Sequence, residues 1–128
     1  MVRSIFLALV LFLYGGQAMA QSALLGQEKK ILPTIKNSWA SFRDFNGRQL
    51  IYFTILESYR CGIKEVRYSL NSDALDKTWK LQPCDLKNPH AVTTDKPYIS
   101  MPLGTAKSIA VQLTFSDGSK SEIVHKKP

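Results

Sequence analysis

From Lys107 to Phe115 apolar residues fall on every second position: Ile109, Val111, Leu113 and Phe115 alternate with Ala110, Gln112 and Thr114. That spacing predicts a strand with one buried and one wetted face. Asp117-Gly118 follows, read as a two-residue turn of the primed type, so residues 119 to 126 are expected to return as the partner strand with Ile123 inward and Lys120 and Glu122 outward. Residues 63 to 70 alternate in the same way, with Val66, Tyr68 and Leu70 on one face and Glu65, Arg67 and Ser69 on the other. Thr78 to Gln82 reads as a short strand ended by Pro83, and Tyr98 to Met101 as another stopped by Pro102. Segment 85–97, with Pro89, Pro97 and few apolar residues, reads as a long loop. Residues 49 to 59 are apolar at both parities, Ile51, Phe53 and Ile55 against Leu50, Tyr52 and Leu56, which predicts a long central strand. A weaker strand from Trp39 to Phe45, turned at Asn46-Gly47, brings the total to seven.

The amino-terminal part has a different texture. Arg3, an apolar run from Ile5 to Tyr14, Gly15-Gly16, and Ala18 and Ala20 around Met19 are the three parts of a secretory signal, with cleavage expected between Ala20 and Gln21. The run is too short to span a bilayer, and no second long apolar stretch follows, so no transmembrane segment is expected in the mature chain. The junction has a bacterial look, which places the mature protein in the periplasm or, second, outside the cell. The expected organisation is a signal peptide at 1–20, an N-terminal segment at 21–38, either a short helix or flexible, and a β domain at 39–128. In residues 24 to 35, Leu24, Leu25, Ile31, Leu32 and Ile35 have helical spacing, with Pro33 ending or kinking the helix. This segment is expected to cover the face of Leu50, Tyr52 and Leu56 or, failing that, to leave those three residues as a partner patch.

Cys61 and Cys84 are the only cysteines, and in an exported chain such a pair is read as a disulfide. Loss of Arg3 with the leader takes the net charge from +7 for the whole chain to +6. This basic balance favours anionic surfaces, yet the cations are scattered, with no run resembling a nucleic-acid arm, so no specific nucleic-acid binding is expected.

Seven strands in this order, closing on the hairpin at 107–126, resemble a fibronectin type III or immunoglobulin-like β-sandwich over residues 39 to 126. The fold class expected is therefore all-β: a seven-stranded antiparallel sandwich with one disulfide. The sequence departs from the antibody pattern, with no Cys in 107–115 and no Trp in 63–70. Phrases such as Val66-Arg67-Tyr68-Ser69-Leu70-Asn71 and Thr114-Phe115-Ser116-Asp117-Gly118-Ser119 look like the strands and turns of accessory β-sandwich modules of bacterial exported proteins.

Candidate chemistry is sparse. His90 falls in the Pro-containing loop and His125 near the chain end, outside any His-x-His or His-Glu-x-x-His motif. Asp73, Asp76, Asp85 and Asp95 lack the spacing of a calcium loop and read as turn residues. Glu57, if buried, should pair with Arg60 or Lys64. Trp39, Trp79 and Tyr98 read as core residues ahead of an aromatic platform for sugars or partner proteins. No catalytic, metal or cofactor site is expected. These readings converge on a non-catalytic exported module that binds a macromolecule, either a protein or an anionic envelope polymer. The alternatives are a small enzyme inhibitor or unrecognised enzyme using loop 85–97, and a structural envelope component.

Overall fold

Strict alternation produces strands at 63–70 and 109–115, whereas the strand expected over 78–82 ends at Trp79 and the one expected over 119–126 is confined to Val124–Lys126. The computed structural model, which describes residues 25–128, arranges seven strands in two antiparallel sheets. The strands are β1 (Ser41–Phe45), β2 (Arg48–Tyr52), β3 (Ile63–Leu70), β4 (Lys77–Trp79), β5 (Tyr98–Pro102), β6 (Ile109–Phe115) and β7 (Val124–Lys126). One sheet has the order β1-β2-β5 and the other β4-β3-β6-β7. The expected signal peptide lies outside the described residues. No helix among those described is long and apolar enough to cross a membrane.

A single core lies between the sheets. Ile51 and Met101 from the first pack in the same cluster as Val66, Tyr68, Val111 and Leu113 from the second. On β6 the register places Leu113 opposite Val66, Val111 opposite Tyr68 and Ile109 opposite Leu70, so the alternating faces of both strands meet as expected. Near Ile63 the ladder slips by one residue, with Ile63 opposite Phe115 and Glu65 opposite Thr114. The bulge at Lys64 turns Ile63 to the same interior as Val66 despite their opposite parity. Burial of Tyr68, with a smaller contribution from Asp76, raises its phenol above the ordinary value.

Several expectations about strands and turns need correction. The long strand at 49–59 stops at Tyr52, and residues Thr54–Ser58 form a short helix, α2, followed by a 3-10 turn at Arg60–Gly62. Buried side chains here are Phe53, Leu56, Glu57 and Arg60, the i, i+3, i+4, i+7 spacing of a helix face. In the C-terminal hairpin, Phe115 N donates to Ser119 O at 2.8 Å and Gly118 N to Phe115 O at 2.9 Å. Only Gly118 has positive φ, +86°, so the loop has three residues, Ser116-Asp117-Gly118, a tight turn closed by a left-handed glycine. The two-residue primed turn occurs instead at Asn46-Gly47, where φ is 51° and 71°.

Ile123 is exposed, against the expectation that it faces inward, and Val124 is buried in its place. The cause is an extra residue between the Thr114–Lys120 bridge and the Val111–Val124 pair. Ser121 fills the irregular stretch: its Oγ accepts from Leu113 N at 2.9 Å and its N donates to Leu113 O at 2.8 Å.

Ahead of β1, helix α1 (Glu28–Ile31) runs directly into a 3-10 helix at Leu32–Ser38. Pro33 stands in the first turn of the second helix, where its missing N–H costs least, and Ile35 leaves helical geometry at φ −119°, ψ 26°. Leu32 is fully buried in the core, and its carbonyl accepts from Trp39 Nε1 at 2.9 Å. The segment is fastened by Lys29 Nζ to Asp117 Oδ2 at 2.8 Å, Lys36 Nζ to Glu122 Oε1 at 3.0 Å, and Lys126 Nζ donating to Asn37 O at 2.8 Å. It therefore docks against the Arg60–Gly62 turn and β7 rather than over Leu50, Tyr52 and Leu56.

Candidate binding face

Leu50, Tyr52 and Leu56 do not form one patch. Leu56 is fully buried on α2, because the chain leaves the strand before reaching it. Leu50 and Tyr52 do share the outer face of the three-stranded sheet, and the register shows what surrounds them. Ser41, Tyr52 and Tyr98 form one row; Arg43, Leu50 and Ser100 the next; Phe45, Arg48 and Pro102 the third. Asp44, the nearest carboxylate on β1, belongs to the opposite face with Gln49 and Met101.

The face combines cations with aromatic rings. Arg43 places its guanidinium 4.3 Å from the centroid of the Phe45 ring, which is 47% exposed. Tyr52 and Tyr98 pack with centroids 5.1 Å apart at 52°. Arg48 Nε donates to Ser100 Oγ at 3.0 Å. Phe45, Asn46, Arg48, Leu50, Tyr98 and Ser100, with Lys96 just before β5, line a shallow groove of about 490 Å³, beside which Arg43 and Tyr52 lie on the same sheet face. Arg43, Arg48 and Lys96 make no ion pair among the described residues, whose salt bridges join Lys29, Lys36, Arg67 and His125 to carboxylates elsewhere.

Gln49 holds the opposite side of the same sheet. Its Nε2 donates to Ala106 O and its Oε1 accepts from Ala106 N, both at 2.8 Å. This clamp ties β2 to the connection that follows β5, on the side of the sheet away from Leu50 and Tyr52.

A second group of polar residues lies under the long loop. Cys61 and Cys84 are disulfide-bonded, with Cα atoms 4.8 Å apart. Glu57, fully buried, accepts from Trp79 Nε1 at 2.9 Å and Gln82 N at 3.2 Å. It does not pair with Arg60 or Lys64 as expected. Arg60, also buried, donates through Nε to Pro83 O at 2.8 Å and through Nη1 to Glu57 O and Ala91 O. Two carbonyls of the loop, Pro83 O and Ala91 O, thus hold the Arg60 guanidinium, while its Nη2 is buried with no hydrogen-bond partner among the described residues. His90 Nδ1 lies 3.0 Å from Ser58 O, and since a carbonyl only accepts, Nδ1 carries the proton. Its ring meets Tyr59 edge-on at 5.5 Å.

Beside this hub lies a groove of about 530 Å³ that includes Arg60, Lys64 and Lys80 but also Glu65. Its cationic lining is mixed, and Arg60 is already committed to loop carbonyls. His125 Nε2 meets Asp73 Oδ1 at 2.8 Å on the surface, and among the described residues no hydroxyl or thiol is bonded to that ring. Trp39 is a core residue, whereas Trp79 is half-buried with its ring 4.9 Å from that of Phe53. The described residues contain no group of three His, Cys, Asp or Glu placed to hold a metal ion.

Comparison with known proteins adds no relative: no family model, no curated protein and no solved structure matches this chain.

Sequence reasoning found Leu50 and Tyr52 but missed Arg43, Phe45, Arg48, Lys96, Tyr98 and Ser100 as their neighbours. The parity of β1 carried half of the signal, since 41, 43 and 45 are one face. The pairing of β1 and β5 on either side of β2 carried the rest, and it is a long-range fact that no local window contains.

Proposed function

We propose that the chain is an exported, non-catalytic β-sandwich module that binds an anionic envelope polymer or a protein through the outer face of its three-stranded sheet. The observation that carries this reading is the gathering of Arg43, Arg48 and Lys96 around Phe45, Tyr52 and Tyr98 with no carboxylate in the three rows. Unpaired cations beside aromatic rings supply charge attraction and desolvated contact area together. Strand order supports a fold of the fibronectin type III and immunoglobulin-like kind: β3-β6-β7 correspond to strands C, F and G, β1-β2-β5 to A, B and E, and β4 joins the first set beside β3. The disulfide departs from the antibody pattern, linking the two ends of the β3-β4 unit rather than the two sheets. Export is supported by that disulfide and by the leader-like sequence of residues 1–20.

A photo-crosslinking residue at Ser100, exposed on this face, tests the reading in intact cells. Adducts are expected from Ser100 and not from the same probe at Lys87. Absence of adducts, or equal adducts from both positions, would count against the face. A second reading, as an inhibitor, is favoured by one feature: Leu86, 72% exposed, protrudes from the loop two residues after the disulfide-held Cys84. Inhibition lost on Leu86→Ser and retained in R43A/R48A would favour it.

A further inference from the structure

We infer that the ligand of the groove on the three-stranded sheet is an acidic polysaccharide, an inference that rests on the binding-module reading and narrows it to one chemical class. Along β5 the groove presents Arg48 beside Ser100 at one end, Tyr98 in the middle and Lys96 at the other end. A chain of uronic-acid rings needs that sequence of groups: cations for carboxylates at either side, hydroxyl donors and acceptors between them, and an aromatic surface for the apolar face of a sugar ring. Leu50, buried among these groups, gives the shallow groove an apolar base beneath its charged rim. Its volume, about 490 Å³, lies within the range of small-ligand sites.

The ring geometry separates this class from single-stranded nucleic acid. Stacking of successive bases requires successive free ring faces. Here Arg43 occupies a face of Phe45, and Tyr52 and Tyr98 pack on one another at 52°, so the rings do not form a run of parallel free faces. One ring stacked on one sugar, with carboxylates reaching outward, needs no such run. An anionic bilayer would meet the exposed Phe45 and the cations but would leave the groove unfilled.

The test is an amide chemical-shift titration of the mature protein with hexagalacturonate, alongside a neutral malto-oligosaccharide of equal length, a single-stranded oligonucleotide and phosphatidylglycerol vesicles. The expected result is saturable shifts centred on Leu50, Tyr98 and Ser100 with the galacturonate alone, weakening as salt rises. Arg48→Ala and Lys96→Ala should each weaken binding by about tenfold, the loss of one charge-assisted hydrogen bond. Lys64→Ala and Lys80→Ala, at the other groove, should leave it unchanged. Unchanged melting temperatures in the two face variants show that binding was lost without unfolding. Equal binding of the neutral oligomer overturns the requirement for acid groups. Oligonucleotide or vesicle binding at the same amides, in place of galacturonate, overturns the ligand class and leaves the binding face standing. Silence from all four probes, with specific adducts still formed at Ser100, also overturns the polysaccharide and keeps the face; silence from both experiments overturns both.

Discussion

Replacing Gly62 by Ala gives an outcome whose sign depends on the docking of the N-terminal segment. Gly62 closes the 3-10 turn after α2, and its φ is not positive, so an alanine fits the backbone. In open space the change would stabilise by about 0.4 to 1 kcal/mol, through lower entropy of the unfolded chain. A Cβ at Gly62 would instead stand 2.7 Å from Glu28 Cγ and 3.0 Å from Glu28 Cδ, and closer still to Glu28 Cβ. The near atoms belong to the root of a buried side chain on α1, so a rotamer change cannot clear them and the helix must shift. Leu32, one turn further on and fully buried, would be pulled with it. Overpacking of this kind costs about 1 to 3 kcal/mol, and in a domain of about 100 residues 2 kcal/mol lowers the melting temperature by roughly 8 to 16 °C. Thermal unfolding followed by circular dichroism reads the sign, and trypsin cleavage at Lys29 and Lys30 reads the position of α1. Glu28→Gly in the same chain should recover most of the loss, less about 1 kcal/mol for glycine in a helix. A G62A protein that melts at or above the parent temperature, with Lys29 and Lys30 still protected, would refute the docked segment.

Converting Cys61 and Cys84 together to Ser should lower unfolding free energy by about 2 to 4 kcal/mol in urea titration, with far-ultraviolet spectra unchanged; an unchanged midpoint would show that the hub of Glu57 and Arg60 holds the loop alone. Asp117 is held below the usual carboxylate range by the hydrogen bond from Lys29 and then by two from Ser119. A depressed carboxyl contributes stability above its unfolded-state value, near pH 4, and the contribution is lost as pH falls through the folded value. Asp117→Asn should therefore flatten the acid limb of stability against pH, and a parallel acid limb in the two proteins would exclude the contribution.

What was legible in the sequence follows the range of the information. β3 was found at its observed bounds because Val66, Tyr68 and Leu70 alternate cleanly with charged and polar residues, a signal complete within eight positions. The segment 49–59 misled because its buried helix face is completed by Glu57 and Arg60, two residues that a hydrophobic count places in water. Reading them as core positions would have required knowing that a loop 23 to 31 residues away supplies a Gln82 N–H and the carbonyls of Pro83 and Ala91. Ile123 failed for a smaller reason: one inserted residue reverses parity, and nothing in Ser121-Glu122 announces it. The candidate face was half-legible, since Leu50 and Tyr52 were marked as a patch, while of the cations that give it a character Arg43 came from β1, Lys96 from the segment before β5, and Arg48, on β2 itself, was passed over.

The strand order also determines how the chain can be divided. Everything before the long loop contributes β1 and β2 to one sheet and β3 and β4 to the other; everything after it contributes β5 to the first and β6 and β7 to the second. Neither portion owns a sheet, and the core rows, Val66 on Leu113 and Ile51 on Ile99, each take one residue from either side. A polypeptide opened between Leu86 and Asn88 becomes two interleaved complements, each an incomplete template for the other. Fused to separate baits, such halves would regain the groove only on meeting, which makes this architecture a natural split reporter.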